Sequence, residues 1–281
     1  MTSSPSTTFG ERFVSAVGAR GPLCAGIDPH AALLRAWGLD DDVAGLERFA
    51  LGATEALAPH VSVLKPQSAF YERFGSRGIA VLERVVATAR EAGALVLLDV
   101  KRGDIGSTTE AYAEAYLDPA SPLACDAITA SPYLGFGSLE PMVESARRHG
   151  AGLFVLALTS NPEGPEFQHA RTDDGALVAD RVLDHLRRLN ADAEPLGSFG
   201  AVVAANLADA SGHDLDIGGP VLAPGFGAQG GTVEDLRRVF GSGVAAVTPS
   251  SSRELLRRGP DAAAMRDEAL RLNDELAALR P

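Results

Sequence analysis

The chain has 281 residues, 46% hydrophobic and 22% charged, with a net charge of −12 and two cysteines. This composition belongs to a globular chain and excludes a disordered or fibrous one. The acidic balance disfavours nucleic acid or an anionic membrane surface as main partner, so an anionic ligand must be caught by local basic groups.

No run approaches the ~20 apolar residues that span a bilayer. The opening MTSSPSTTFGERF lacks the basic-then-apolar layout of a leader. Cys24 and Cys125 each sit in an apolar run, which reads as buried reduced thiols, and a cytoplasmic location is expected.

Taken in chain order, residues 1–10 are expected to be flexible. Short apolar runs predict strands at 23–27, 61–64, 95–100, 127–129, 153–158, 201–204, 221–223 and 244–247, and helical spacing falls between them at 43–58, 79–92, 139–149, 177–190 and 232–240. The Gly-, Pro- and charge-rich stretch 161–175 is a surface loop or a lid. Residues 261–281 carry the pattern of an amphipathic C-terminal helix. Eight strand–helix alternations without a break in composition predict a single (β/α)8 TIM barrel over 1–281, with a doubly wound open sheet as the alternative.

Most predicted strands end in polar or special residues: GIDPH, VLKPQ, LDVKRGD, ITASPY, ALTSNPEG, AANLAD, LAPGFGAQGG and VTPSSSR. A barrel gathers all these ends on one face, where its active sites are built. Of 25 basic residues only Lys65 and Lys101 are lysine, and both lie at such ends. An ammonium can give up a proton and approach a carbon closely, whereas a guanidinium stays charged and is wider. Asp99 and Lys101, two apart on a strand, point the same way, and Lys65 arrives from the neighbouring strand. Adding Asp28 or Asp104 balances the charges, and an alternating network keeps every member ionised. Gly103 and Gly106 let the chain turn away, so Asp104 is able to reach the mouth of a partner subunit. A structural ion-pair network is the bland alternative.

After the seventh strand, PGFGAQGGT leads into a helix. Glycines let backbone N–H groups of the turn, Gly230 among them, crowd around an anion at a helix N-terminus; Gln229 adds a neutral donor, and Arg253 in SSSR a bidentate one. Loops after the last two strands are a common phosphate site in barrels. The six histidines show no metal-ligand spacing, and GFGAQG comes too late in the chain to be a dinucleotide fingerprint.

With D-x-K-x-x-D at Asp99, Lys101 and Asp104, the lysine of LKPQSAFYE and the PGFGAQGG turn in this order, the chain resembles the orotidine 5′-phosphate decarboxylases. KRGDIGST, PYLGFGSL, TSNP and SSSR are similar to the longer bacterial branch of that family. The resemblance implies decarboxylation of orotidine 5′-monophosphate (OMP) to uridine 5′-monophosphate (UMP), without metal or cofactor, by a homodimer. Lys101 would then protonate C6, and Asp99 would face the departing carboxylate. Lys65 and Asp104 would complete the network, with Asp104 reaching from the other subunit. Asp28 and Thr108 would touch ribose, Ser160 the pyrimidine, and Gln229 with Arg253 the phosphate. Ala204, Ala205 and Asn206 depart from the branch pattern and receive no role, nor does Arg102.

Three other readings remain at this point. A Schiff-base aldolase would want a lysine of lowered pKa, which neighbouring acids oppose. A related phosphosugar decarboxylase would set the same acids on magnesium. A ligand sensor would bind phosphate without turnover.

Overall fold

The computed structural model describes residues 7–207, 210 and 212–279. Eight strands, β1 Cys24–Ile27, β2 Val63–Pro66, β3 Leu95–Arg102, β4 Ala127–Ala130, β5 Gly152–Leu158, β6 Phe199–Val203, β7 Val221–Pro224 and β8 Val247–Ser251, form a closed parallel barrel in chain order. β8 closes onto β1 through Cys24↔Ser250. The open-sheet alternative is thereby excluded.

Two apolar layers hold the barrel. The outer one lies between strands and helices, with Leu46, Phe49, Leu82, Leu183 and Leu236 all buried completely or nearly so. The inner one fills the lower barrel with Val63, Leu97, Ala127, Phe154, Val202 and Leu222. Its floor comes from the helix Phe9–Arg20, which inserts Phe9, Phe13 and Val17 into the same cluster.

This helix departs from the expected flexible 1–10. Residues 1–6 lie outside the described residues. Thr8, however, caps the helix in a reciprocal box with Glu11, and Phe9 and Gly10 are buried in the first turn. The approach is close: a Cβ on Gly10 would be driven into the Leu196 carbonyl, and one on Gly152 into the Phe9 ring. Gly10→Ala is therefore expected to lower stability by about 2 kcal/mol through overpacking. Urea unfolding would register the loss, while the geometry at the strand C-termini stays unchanged because the substitution lies at the opposite end of the barrel.

The last strand also differs from expectation. Residues 241–246 form a 3-10 turn, and β8 runs from Val247 to Ser251 instead of over 244–247. Its residues Thr248, Ser250 and Ser251 are buried despite their hydroxyls. The C-terminal helix spans Ala262–Ala277, capped by Asp261, and buries Met265, Ala269, Leu272 and Leu276; Arg280 and Pro281 lie outside the described residues. Helix Gly106–Leu117, after β3, was not anticipated from the sequence. Within 161–175, Pro165–Gln168 forms a short helix, and the Gln168 side chain clasps Thr159 through both its amide atoms, at 3.0 and 2.7 Å.

Candidate active site

Side chains that point into a barrel recur at every second position of a strand. Val63, Leu97, Ala127, Phe154, Val202 and Leu222 are inward in the lower layer. Two residues further on, the same parity delivers Lys65, Asp99, Thr129, Leu156, Ala204 and Pro224, all lining one cavity of about 340 Å³. Asp28, Gln67, Ser160, Ser250 and Ser252 enter it in the same way from the strand ends or the loops beyond. The register that packs the core below therefore aims the polar groups above it.

Asp99, 6% exposed, is the hub of the charge cluster. Its Oδ1 accepts from Lys101 Nζ at 2.6 Å and from Thr129 Oγ1 at 2.7 Å, and its Oδ2 accepts from Lys65 Nζ at 3.3 Å. Lys65 Nζ also lies 4.0 Å from Asp28 Oδ1. The chain thus assembles Asp28–Lys65–Asp99–Lys101 by itself.

Burial alone would raise the Asp99 pKa. The charges of Lys65 and Lys101, with hydrogen bonds from Lys101 and Thr129, outweigh it and bring the value down from 3.8 to about 2. Burial likewise opposes the Lys65 ammonium, but Asp28 and Asp99 together raise its pKa above the usual lysine value. A depressed carboxylate stabilises the fold above its unfolded pKa, so the Asp99 contribution is complete above about pH 4 and is lost as pH falls towards about 2. Asp99 and Lys65 therefore both carry their charges throughout the physiological range.

The route by which Lys101 reaches Asp99 is not plain strand alternation. β3 pairs Leu98 with Ile128 and then Arg102 with Ala130, so it runs from 98 to 102 while β4 runs only from 128 to 130. The excess arches out, and Lys101 takes φ 45°, the one positive φ at a non-glycine among the described residues. Arg102, which had no role in the sequence reading, pins the far end of the arch. Its Nη2 donates to Glu72 Oε1 at 2.5 Å, its Nη1 donates to the Val100 carbonyl at 3.2 Å, and its guanidinium lies over the Tyr112 ring.

Gln229 and Arg253 line the opposite side of the cavity with Gly225 and Ala228. In the turn, the N–H groups of Gly227, Gly230 and Gly231 donate to turn carbonyls at 2.9, 2.7 and 2.9 Å. Among the described residues, those of Ala228 and Gln229 have no acceptor. Gly230 is the exception to the expected set: its N–H is spent on Gly227, and it lines a separate outer cleft with Arg257 and Arg258. The donors facing the cavity are side chains and the tip of the turn.

Asp104 and Thr108 stand apart from this cavity. Asp104 accepts from the Ile105 N–H at 2.9 Å, Thr108 is exposed, and neither lines the mouth. Ile105 beside them is 62% exposed. Sequence reasoning assigned no role to Thr129 or Gln67; the only trace of either was its place at a strand end, in ITASPY and VLKPQ. Among the described residues, no group of three or more His, Cys, Asp or Glu is placed to hold a metal ion, and no helix is long and apolar enough to cross a membrane.

Residues 21–267 match the Orotidine 5′-phosphate decarboxylase / HUMPS family. The chain belongs to this family. It is 70% identical over 272 residues to the orotidine 5′-phosphate decarboxylase of Nocardioides sp., covering 95% of this chain and 98% of that one. Against the protein of the same name from Streptomyces coelicolor, identity is 62% over 268 residues, covering 95% and 96% of the two chains. The crystal structure of a candidate orotidine 5′-phosphate decarboxylase from Streptomyces avermitilis superposes with a TM-score of 0.96 at 62% identity, covering 99% of this chain and 98% of that one.

Proposed function

We propose that the chain decarboxylates OMP to UMP and CO2, with neither metal nor cofactor taking part. The observation that carries this reading is a buried carboxylate held between two ammonium groups in a cavity whose other rim offers Gln229 and Arg253. That layout suits a substrate with a phosphate at one end and, at the other, a carbon that must bear a negative charge.

In the proposed reaction the bond from C6 to the carboxylate breaks, CO2 leaves, and the electron pair stays on C6. No adjacent π system takes up that charge, so it has to be met electrostatically. Lys101 Nζ stabilises the developing carbanion and then transfers its proton to C6. Asp99, ionised and fixed, repels the substrate carboxylate but not the CO2 that departs. Lys65 keeps Asp99 charged without competing for C6. Asp28 meets the ribose and Ser160 the pyrimidine, while Gln229 and Arg253 hold the phosphate. Binding energy from that remote end helps assemble the site, with 161–175 closing as a lid.

The working unit is a homodimer in which Asp104 and Thr108 of a second copy complete each mouth; the exposure of Thr108 and Ile105 and the separation of Asp104 and Thr108 from their own cavity support this. Each chain acts as one domain, in the cytoplasm.

The test is the fall in OMP absorbance with purified protein and a chelator. Conversion to UMP undiminished by chelation is the expected result. Loss of OMP turnover on chelation would overturn the metal-free part of the reading, and no turnover by folded protein would leave the magnesium-dependent phosphosugar decarboxylase or a phosphate-ligand sensor.

A further inference from the structure

The arch in β3 has a polar filler on its inner side. Thr129, 1% exposed, sits on β4 between the two pairs that flank the arch, Leu98↔Ile128 and Arg102↔Ala130. Its hydroxyl oxygen accepts from the Lys101 backbone N–H at 2.9 Å, and its proton goes to Asp99 Oδ1 at 2.7 Å. One side chain thus grips the backbone of one charged residue and the carboxylate of the other. A lysine at positive φ is disfavoured and persists only where surrounding contacts over-determine it. Without the hydroxyl, the Lys101 N–H would lose its acceptor in the gap between the paired segments.

We infer that Thr129 is a positioning residue for decarboxylation: through the Lys101 backbone and the Asp99 carboxylate it fixes where the Lys101 ammonium stands relative to C6. This rests on the proposed reaction only for its kinetic consequence; the structural consequence is independent of it. Arg102 serves the same arch from outside through Glu72, but it is partly exposed and touches neither partner of the charge pair. Thr129 is the sharper place to test.

Thr129→Val keeps the shape and removes the hydroxyl; Thr129→Ser keeps the hydroxyl and removes a methyl group. Loss of a hydrogen bond to a charged group, with the misplacement that follows, is expected to lower kcat roughly 30-fold in Thr129→Val. KM for OMP should stay within about twofold, because the phosphate and ribose contacts lie elsewhere in the cavity. Thr129→Ser should recover most of kcat.

A second readout needs no turnover. With two lysines in the chain, protein labelled with 15N-lysine gives two backbone amide signals, from Lys65 and Lys101. In Thr129→Val the Lys101 amide should exchange with solvent at least about tenfold faster and the Lys65 amide should not, whereas Thr129→Ser should match wild type. The inference is overturned if Thr129→Val keeps kcat within twofold of wild type, if Ser and Val variants fall equally, or if Lys101 exchange is unchanged. Should Thr129→Val fail to fold, the serine variant decides: wild-type kcat and Lys101 exchange support the hydroxyl's role, and losses like those of a deletion overturn it. An inert wild type would remove the proposed reaction, while the amide signals would still report whether Thr129 holds Lys101.

Discussion

Lys101→Ala should lower kcat by roughly 10⁴-fold or more while leaving a folded protein. Two separable contributions disappear with the ammonium. A general acid at the reacting atom is worth roughly 10²- to 10⁴-fold, and a preorganised charge facing a developing anion roughly another 10²- to 10³-fold. Folding should survive because the Lys101 side chain is 45% exposed, and Asp99 retains Lys65 and Thr129 as partners. Lys101→Arg tests whether a positive charge without a transferable proton or the same close approach is of any use. It keeps the positive charge, but a guanidinium does not give up a proton in this range and is too wide for the same approach. Turnover in the arginine variant should therefore stay within about tenfold of the alanine variant. Single-turnover assays at saturating OMP, with circular dichroism to confirm folding, are sufficient. Either variant retaining more than a hundredth of wild-type kcat would exclude Lys101 as the proton donor and send attention to Lys65, the other amine in the cavity.

Much of this site is legible before any coordinates. Asp99, Lys65 and Lys101 stand out because a strand period of two and a barrel with one functional face leave few places for charges that follow an apolar run. Other features escape for identifiable reasons. The helix Phe9–Arg20 carried its start signature, Thr8 followed three residues later by Glu11, but the polar stretch before it reads as a loose terminus. β8 was placed too early because Thr248, Ser250 and Ser251 look like loop residues, although Thr248 satisfies its hydroxyl on the Pro22 carbonyl and is fully buried. A helix opening on Gly-Ser-Thr-Thr, as Gly106–Leu117 does, likewise reads as loop. Thr129 is a lone threonine whose meaning depends on an arch two strands' pairing away from regularity. The positive φ of Lys101 was invisible too, since that backbone region is assigned by default to glycine. For Gly230 the sequence foretold the turn, but only the hydrogen-bond pattern tells which N–H groups the turn consumes.

The second large effect concerns Lys65, where catalysis and stability are tied together. Lys65 is 5% exposed, with Asp99 at 3.3 Å and Asp28 at 4.0 Å. Lys65→Met preserves most of the side-chain volume and leaves two carboxylates in one buried region with Lys101 as the remaining cation. Removing one partner from a buried ionic group is expected to cost about 3–5 kcal/mol of stability near neutral pH, because the abandoned charge has lost its solvent and its counter-ion. The pH dependence follows from the same physics. In the wild type Asp99 lies below its unfolded value, so acid is destabilising as pH falls from about 4 towards 2. In Lys65→Met the burial that already opposes the Asp99 charge is no longer outweighed, and the carboxyl pKa rises above its unfolded value. Proton uptake then favours the folded state, so the stability deficit should be smaller at pH 5 than at pH 8. Urea unfolding of both proteins at the two pH values reads this directly. A deficit below about 1 kcal/mol, equal at both, would mean that Lys65 contributes nothing to keeping Asp99 ionised. Asp99 would then owe its charge to Lys101 and Thr129, and the part of Lys65 in the reaction would have to lie elsewhere than in holding that carboxylate ionised.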